Sequence, residues 1–209
     1  MKSMEHLEWR YATKKFDPAR RIPEPEFKEI LEVLRLAPSS FGLQPWKFMI
    51  VEAPELRKKI QPLAWNQSQV AEASHLIVLC ALRSMDPAYV REYVRHMAET
   101  RGISPETLTA YQKRMLDFIE SLTAKELSEW MKQQVYLALG MLLAECARRK
   151  IDSCPMEGFE PEKVDGILGL PSQNLQAVVL CPVGYRAADD KSAGLKKIRF
   201  QPEQVFIYR

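Results

Sequence analysis

The sequence predicts an α+β fold, mainly helices with about four to five strands set between them. Three observations carry this. Apolar residues recur at helical spacing through most of the chain, as in Phe27, Ile30, Leu31 and Leu34 at i, i+3, i+4 and i+7. Three short apolar runs, residues 47–51, 75–81 and 177–183, have the length and composition of buried strands. The chain of 209 residues, 46% hydrophobic and 27% charged, is long enough for a packed core. No internal repeat, low-complexity tract or linker divides it, so residues 1–209 read as a single domain.

Met4, Leu7 and Tyr11 space a first short helix. It runs into Arg10-Tyr-Ala-Thr-Lys-Lys, and Phe16-Asp17-Pro18 then makes a turn. Cations at a helix end complement its dipole whatever else they do. Pro23 and Pro25 open the helix that carries the Phe27 stripe. Pro38 ends it, because a residue before proline is pushed out of the α region. Residues 37–46, Ala-Pro-Ser-Ser-Phe-Gly-Leu-Gln-Pro-Trp, join that helix to the 47–51 run. Two hydroxyls, a glycine, an amide and an indole are more chemistry than a connection requires, and loops held by rigid elements are where sites are built. Taken alone, the stretch reads equally well as an ordinary turn.

Pro54 begins a helix with Leu56, Ile60 and Leu63, followed by a polar patch, Trp65-Asn-Gln-Ser-Gln69, and the 75–81 run. Asp86-Pro87 pairs an N-cap with proline at the first helical position. Val90, Tyr93, Val94 and Met97 share a face, and Gly102 can end the helix. Ser104-Pro105 repeats the start signal, and Leu108, Tyr111, Met115, Phe118, Ile119 and Leu122 keep the helical period. Thr123-x-x-Glu126 is a capping box that opens a long helix to about Arg149. From 135 to 144 it is apolar nearly all round, which predicts burial on most sides and a central place in the fold. Residues 151–154 form a short extended piece leading to Pro155-Met-Glu-Gly-Phe159, a second candidate site loop. Pro161 starts a small helix with Val164, Ile167 and Leu168, stopped by Gly169, and the 177–183 run follows. The tail carries Lys196-Lys-Ile-Arg-Phe200 and then a strand-like run, 205–208, with no later element to bury it.

Several function classes are excluded. The net charge of +3 is not gathered in one block, and no basic stripe with interleaved aromatics suggests nucleic-acid binding. The longest apolar stretch, 135–144, is about half a membrane span, so no membrane association is expected. The opening Met-Lys-Ser-Met-Glu-His lacks the apolar core of a signal peptide. Cys80, Cys146, Cys154 and Cys181 show no C-x-x-C spacing, and Cys80 and Cys181 lie inside apolar runs. They read as reduced packing thiols of a cytoplasmic protein. His6, His75 and His96 have no acidic or cysteine companions at ligand or triad spacing, and no H-E-x-x-H, G-x-S-x-G, Walker or G-x-G-x-x-G pattern occurs. Neither a metal nor a protein nucleophile is expected, so any reaction would be carried by a bound organic cofactor.

Arg10-x-x-x-Lys14 with Phe16, Pro38-Ser-Ser-x-x-x-Gln44-Pro-Trp46, Pro155-Met-Glu-Gly-Phe159 and Lys197-x-Arg199 together resemble the FMN-dependent nitroreductase family. The likeness is nearest to the oxygen-insensitive NAD(P)H nitroreductases of bacteria. No single piece is specific, but the four in this order and spacing span essentially the whole chain. The resemblance implies a mixed β-sheet surrounded by helices and a homodimer with FMN in each of two interfacial clefts. It also implies a C-terminal strand swapped onto the partner's sheet, which would account for the unpartnered 205–208 run. The implied activity is ping-pong transfer of two electrons from NAD(P)H through FMN to a small acceptor such as a nitroaromatic or a quinone. Reductive dehalogenation, flavin cleavage, and a flavin-binding or sensory protein without turnover are the alternatives.

Carried over residue by residue, the resemblance makes Arg10 and Arg199 the planar forks on the FMN phosphate. Lys197 and Ser39 add donors, and Tyr11, Ala12 and Pro38 join the cofactor-binding set. Lys14 stands where reduced flavin gathers negative charge. Asn66 and Gln134 hold the ring and ribityl chain, Gln69 joins the cofactor-binding set, and Ser40 and Gln44 come from the other subunit. Pro155, Met156, Glu157 and Gly158 form the loop at the ring edge. The backbone N–H groups of Glu157 and Gly158 reach flavin N5 and O4, and glycine permits the close approach. Glu157, Gly158 and Lys14 are therefore the implied catalytic set. Plainer readings stand beside these. Trp46 and Trp130 suit the core, Gln133 and Gln134 can satisfy one another or backbone carbonyls, and Lys196 and Lys197 can be solvated surface. The sequence departs from the family at Ala12, usually a serine near the phosphate; at Gly42, often an asparagine near the ring; and at Gln69, a lysine in some relatives. The helices of residues 86–122 are expected to cover the cleft and set acceptor size.

Overall fold

The computed structural model describes residues 4–209. The signal-peptide reading rests partly on residues 1–3, which lie outside the described residues. Four strands, β1 (Trp46–Val51), β2 (His75–Leu82), β3 (Asp152–Ser153) and β4 (Leu175–Gly184), form one sheet in the order β1-β2-β4-β3. All three strand pairings are antiparallel. A parallel bridge between Ala12 and Ser153 lays the N-terminal segment beside β3 and makes the sheet mixed. Every residue of β2 is buried, as is β4 from Val179 onward. Their unbroken apolar runs are what a strand covered on both faces requires. The 47–51 run does not follow this reading. Only Trp46 and Val51 of β1 are buried, because β1 is an edge strand with its outer side unpaired among the described residues.

Nine helices surround the sheet among the described residues: α1 (Glu5–Trp9), α2 (Glu24–Arg35), α3 (Pro54–Leu63), α4 (Gln69–Glu72), α5 (Pro87–Arg101), α6 (Thr109–Glu120), α7 (Ala124–Arg148), α8 (Pro161–Leu168) and α9 (Pro202–Val205). The local signals act where the sequence places them. The Asp86 carboxylate accepts the Tyr89 N–H at 2.9 Å, and the Thr123–Glu126 capping box closes in both directions. Gly102 and Gly169 end their helices at φ 63°, a left-handed turn that a side chain would resist. Ser104-Pro105 starts only a 3-10 turn, Pro105–Leu108, and α6 begins after it.

The long helix α7 packs against α2 and β2 and buries Met131, Val135, Ala138, Leu139, Leu142 and Cys146. It is not buried on most sides as its composition suggests. Tyr136, Leu137 and Met141 stay exposed along the opposite face, so the single chain covers one side only. The tail also departs from expectation. Residues 202–205 form the helical turn α9, closed by the Phe206 N–H on the Pro202 carbonyl at 2.8 Å, and Phe206, Ile207 and Tyr208 are exposed, Tyr208 at 91%. Within one chain, then, the 205–208 run forms no strand.

Candidate functional site

The N-terminal segment and the tail face each other across a cleft of about 640 Å³. Arg10, Tyr11, Ala12, Lys14, Lys197 and Arg199 all line it, so residues from opposite ends of the sequence meet. Arg10 caps α1 and is turned toward the cleft as the chain leaves the helix, its N–H donating to the His6 carbonyl at 3.1 Å. Lys197 Nζ donates to the Arg10 carbonyl. Burial first, and then the nearby charges of Arg10 and Arg199, push the Lys197 amine below its ordinary value. Arg10 Nε is buried and has no acceptor among the described residues. Glu8 is the only carboxylate lining the cleft among them. Cations gathered around a buried, unpartnered donor make a site for an anion.

Asp190, which the sequence did not single out, organises this wall. It is buried and accepts from the Tyr11 hydroxyl at 2.8 Å, the Lys14 N–H at 2.9 Å and the Lys15 N–H at 3.2 Å. Its second oxygen accepts the Ser192 N–H at 2.9 Å. Burial alone would raise its pKa, but the bonds from Ser192, Lys14, Tyr11 and Lys15 outweigh that and hold it below the ordinary carboxylate value. Lys15 leaves the cleft to pair with Asp189 at 2.5 Å. Arg186 is a second residue the sequence reading missed. Its guanidinium lies over the rings of Trp9 (4.2 Å) and Tyr11 (4.5 Å), and its Nε donates to Asp152 at 2.8 Å. The only signal for either was position, just past the last core strand, where a chain returns to its N-terminus.

The Ala12–Ser153 bridge ties this wall to the loop of residues 155–158. Thr13 N–H donates to the Ser153 carbonyl at 3.4 Å. Met156 spends both backbone groups on Leu180, at 2.8 and 3.0 Å, which fixes the loop to β4. Pro155 is half-buried beside it. The N–H groups of Glu157 and Gly158 have no acceptor among the described residues. The Glu157 side chain is exposed and accepts from the Tyr136 hydroxyl. It faces a separate cavity of about 840 Å³, not the cationic cleft. Burial first, and then that hydrogen bond, push the Tyr136 phenol up to about 12.

The polar patch after α3 sits on this loop. Trp65 and Asn66 are consecutive left-handed residues, φ 54° and 55°, that turn the chain into α4. Gln67 Nε2 donates to the Gly158 carbonyl at 3.2 Å, and the Glu160 N–H donates to Leu63 at 2.9 Å. A Cβ on Gly158 would lie 2.6 Å from the Trp65 ring. The close approach that glycine permits is therefore taken here by an indole, which is otherwise exposed. Asn66 is exposed, whereas Gln69 is buried.

The loop bearing Pro38, Ser39, Ser40 and Gln44 lines no part of the cationic cleft within the chain. Ser39 Oγ accepts the Gln44 N–H at 2.8 Å. Gln134, buried on α7, accepts the Ser40 N–H at 2.8 Å and donates to the Trp130 carbonyl at 2.9 Å. One N–H and one lone pair of its amide are thus engaged, and through them it holds the loop. Phe41, Gly42 and Gln44 are left-handed, at φ 55°, 74° and 48°.

The model of the nitroreductase family matches residues 7–185. The oxygen-insensitive NAD(P)H nitroreductase of Salmonella typhimurium is 33% identical over 202 residues, 93% of each chain. YfkO of Bacillus subtilis is 34% identical over 201 residues, 90% of each. Among solved structures, a nitroreductase-like protein of Streptococcus mutans superposes with a TM-score of 0.86 at 22% identity, over 99% of this chain and 97% of that one. A protein of Exiguobacterium sibiricum solved in complex with FMN gives 0.83 at 23% identity, over 100% and 98%.

Proposed function

This chain belongs to the nitroreductase family, and from that premise we propose that it is an FMN-dependent NAD(P)H oxidoreductase that reduces small acceptors such as nitroaromatics or quinones by two electrons. The observation that carries the reading is the cationic cleft with its unpartnered Arg10 Nε. A phosphate dianion supplies the acceptors this wall lacks, and guanidinium forks suit it. The fold is one that holds FMN in the Exiguobacterium sibiricum protein. When bound, FMN supplies the redox chemistry, accepting a hydride from NAD(P)H and passing two electrons on in a ping-pong cycle.

The chain's own part is to bind, orient and stabilise charge. Arg10, Lys197 and Arg199 take the phosphate. Lys14, in the same cleft, sets a positive charge toward the ring. The free N–H groups of Glu157 and Gly158 are fixed donors that need not titrate. Asn66 and Gln69 flank the ring loop. Residues 1–209 form one FMN-binding unit in this reading. The four buried free cysteines support a reducing, cytoplasmic setting, and no helix among the described residues is long and apolar enough to cross a membrane.

The same reading makes the protein a homodimer, with Pro38, Ser39, Ser40 and Gln44 delivered to the partner's cofactor. Three surfaces support it: the exposed Tyr136, Leu137 and Met141 face of α7, the exposed apolar tail, and the open edge of β1. Beside that edge lies a groove of about 300 Å³ lined by Leu31, Leu34, Trp46, Phe48 and Ile50, suited to a partner's tail strand. The deciding experiment is optical. The purified protein should carry a yellow flavin that bleaches with NADH or NADPH and recolours with a quinone. A protein that takes up no FMN sinks the reading. A bound flavin that neither nucleotide reduces favours a binding or sensory protein instead.

A further inference from the structure

We propose that Tyr89, Tyr93 and Tyr111 are positioning residues for the flavin loop, three phenols that clasp the backbone of residues 41–44 and couple helices α5 and α6 to the cofactor. The proposal rests on the flavin reading above, but its geometry stands without it. Residues 39–44 form a loop that does not suit L-amino acids. Phe41 and Gln44 are left-handed non-glycine residues at φ 55° and 48°, a conformation that persists only where the surroundings impose it. Bonds inside the loop are too few to do so. Gly42 N–H reaches Ser39 at 2.9 Å, Leu43 N–H reaches Ser40 at 3.2 Å, the Ser39 hydroxyl accepts from Gln44, the Gln44 side-chain amide donates to the Gly42 carbonyl at 3.1 Å, and the Trp46 N–H donates to the Gln44 carbonyl at 2.7 Å. None of these holds the Phe41 or Leu43 carbonyl.

Those carbonyls are met from the helical excursion of α5 and α6, residues 87–120. Tyr111 of α6 donates to the Phe41 carbonyl at 3.1 Å. The Tyr89 hydroxyl of α5 lies 2.9 Å from the Leu43 carbonyl and 3.0 Å from that of Gln44, so one proton serves two acceptors. Tyr93, one turn along α5, puts its hydroxyl where a side chain at position 42 would start, 2.3 Å from an ideal Cβ. Glycine at 42 is thus required twice, by its φ of 74° and by Tyr93. The departure from asparagine at this position has its physical counterpart in the phenol that fills the space. On the far side of the loop, Gln134 of α7 holds the Ser40 N–H. The loop is gripped between the excursion and the central helix, so a displacement of α5 or α6 moves Ser40 and Gln44 with it.

Conservative variants test this. Tyr89→Phe and Tyr111→Phe keep the rings and remove the hydroxyls. In flavin-free protein, each should speed amide exchange at residues 40–44 selectively, with exchange in β2 and β4 unchanged. In the same variants the FMN dissociation constant should rise roughly threefold to tenfold, the worth of one neutral hydrogen bond. Gly42→Ala should weaken FMN. Adding Tyr93→Phe should recover part of that loss, because the nearest remaining ring atom is then 3.3 Å from the new Cβ. Unchanged exchange at 40–44 in both Tyr→Phe variants, or no recovery in the Gly42→Ala, Tyr93→Phe pair, overturns the clasp. A wild-type protein that takes up no FMN would refute the flavin reading, and the exchange measurement would still decide the clasp.

Discussion

Arg10 presents a guanidinium nitrogen that is buried and has no acceptor among the described residues, beside Arg199 and a lysine whose charge the site disfavours. Such a donor gains most from an anion and little from a neutral ligand. Arg10→Ala and Arg199→Ala should each weaken FMN by about 1.5–3 kcal/mol, measured by flavin fluorescence. Riboflavin, which lacks the phosphate, should be nearly indifferent to both. Equal losses for the two ligands would mean that these arginines do not hold the phosphate. Glu157 invites the role of an acid or base, yet its carboxylate is engaged with Tyr136 while its N–H is free. Glu157→Gln should therefore keep most of the rate of flavin reduction, and Glu157→Pro, which removes the N–H, should lose far more. Gly158→Val should hurt as well, since a Cβ there meets the Trp65 ring. A hundredfold fall in Glu157→Gln with FMN still bound would assign the chemistry to the carboxylate. At this scale the cations were named through the family resemblance, since taken alone Arg10 and Lys14 read equally well as complements to a helix dipole and Lys197 as solvated surface. Asp190 was not. Its importance lies in four donors that converge on it only after the tail has folded back onto residue 11.

Elements bounded by local chemistry were read well, and elements whose burial depends on a neighbour were not. Asp86, Thr123, Gly102 and Gly169 act within one turn of their own position, so the sequence suffices to place them. The run in β1 and the all-round apolar stretch of α7 signal burial without saying by what. Within one chain, β1 keeps an open edge, and Tyr136, Leu137 and Met141 stay exposed. The tail poses the same question, with Ile207 and Tyr208 more than four-fifths exposed. An apolar strand edge and an apolar tail left in water are aggregation hazards, and in the proposed dimer a second copy would cover both together. Removing residues beyond Phe200 leaves Lys197 and Arg199 in place but takes away the anchor that follows them. Truncation should therefore weaken the dimer and FMN binding together, as read by sedimentation and flavin retention at low protein concentration. A truncated protein that stays dimeric and yellow would detach the tail from both roles.

For the molecule as a whole, an α+β arrangement of strands among helices was legible because β2 and β4 are long and apolar, whereas the mixed sheet was implied only by the family resemblance. The way the strand ends are secured was not legible. Arg57 is buried without an acidic partner among the described residues, and its three nitrogens donate to the carbonyls of Val51 (2.7 Å), Ala73 (2.7 Å) and Ser74 (3.1 Å). It thus joins the end of β1 to the start of β2, and burial pulls its pKa down to about 10. Beside it, His75 opens β2 with its ring stacked on Phe27 at 3.6 Å and its Nδ1 3.0 Å from the Ser74 hydroxyl. Burial, with Arg21 and Arg57 adding repulsion, lowers the His75 pKa from 6.5 to about 4. A histidine depressed in the fold binds its proton more readily when unfolded. Its neutral form costs nothing above pH 6.5, and stability falls as pH drops from there toward 4. Over the span from 6.5 to 4.5 the loss should be on the order of 2 kcal/mol. The depressed carboxylates such as Glu145, held at about 2 by Arg148 first and then Arg149, contribute mainly below that window, as pH falls from their ordinary value of 4.5. Denaturant unfolding at fixed protein concentration across pH 4.5 to 7.5 measures the slope. His75→Phe keeps the stack on Phe27 and cannot titrate, so its curve should be flatter in this window whatever its stability at pH 7.5. An equal slope in the two proteins would place the proton elsewhere and leave His75 a packing residue.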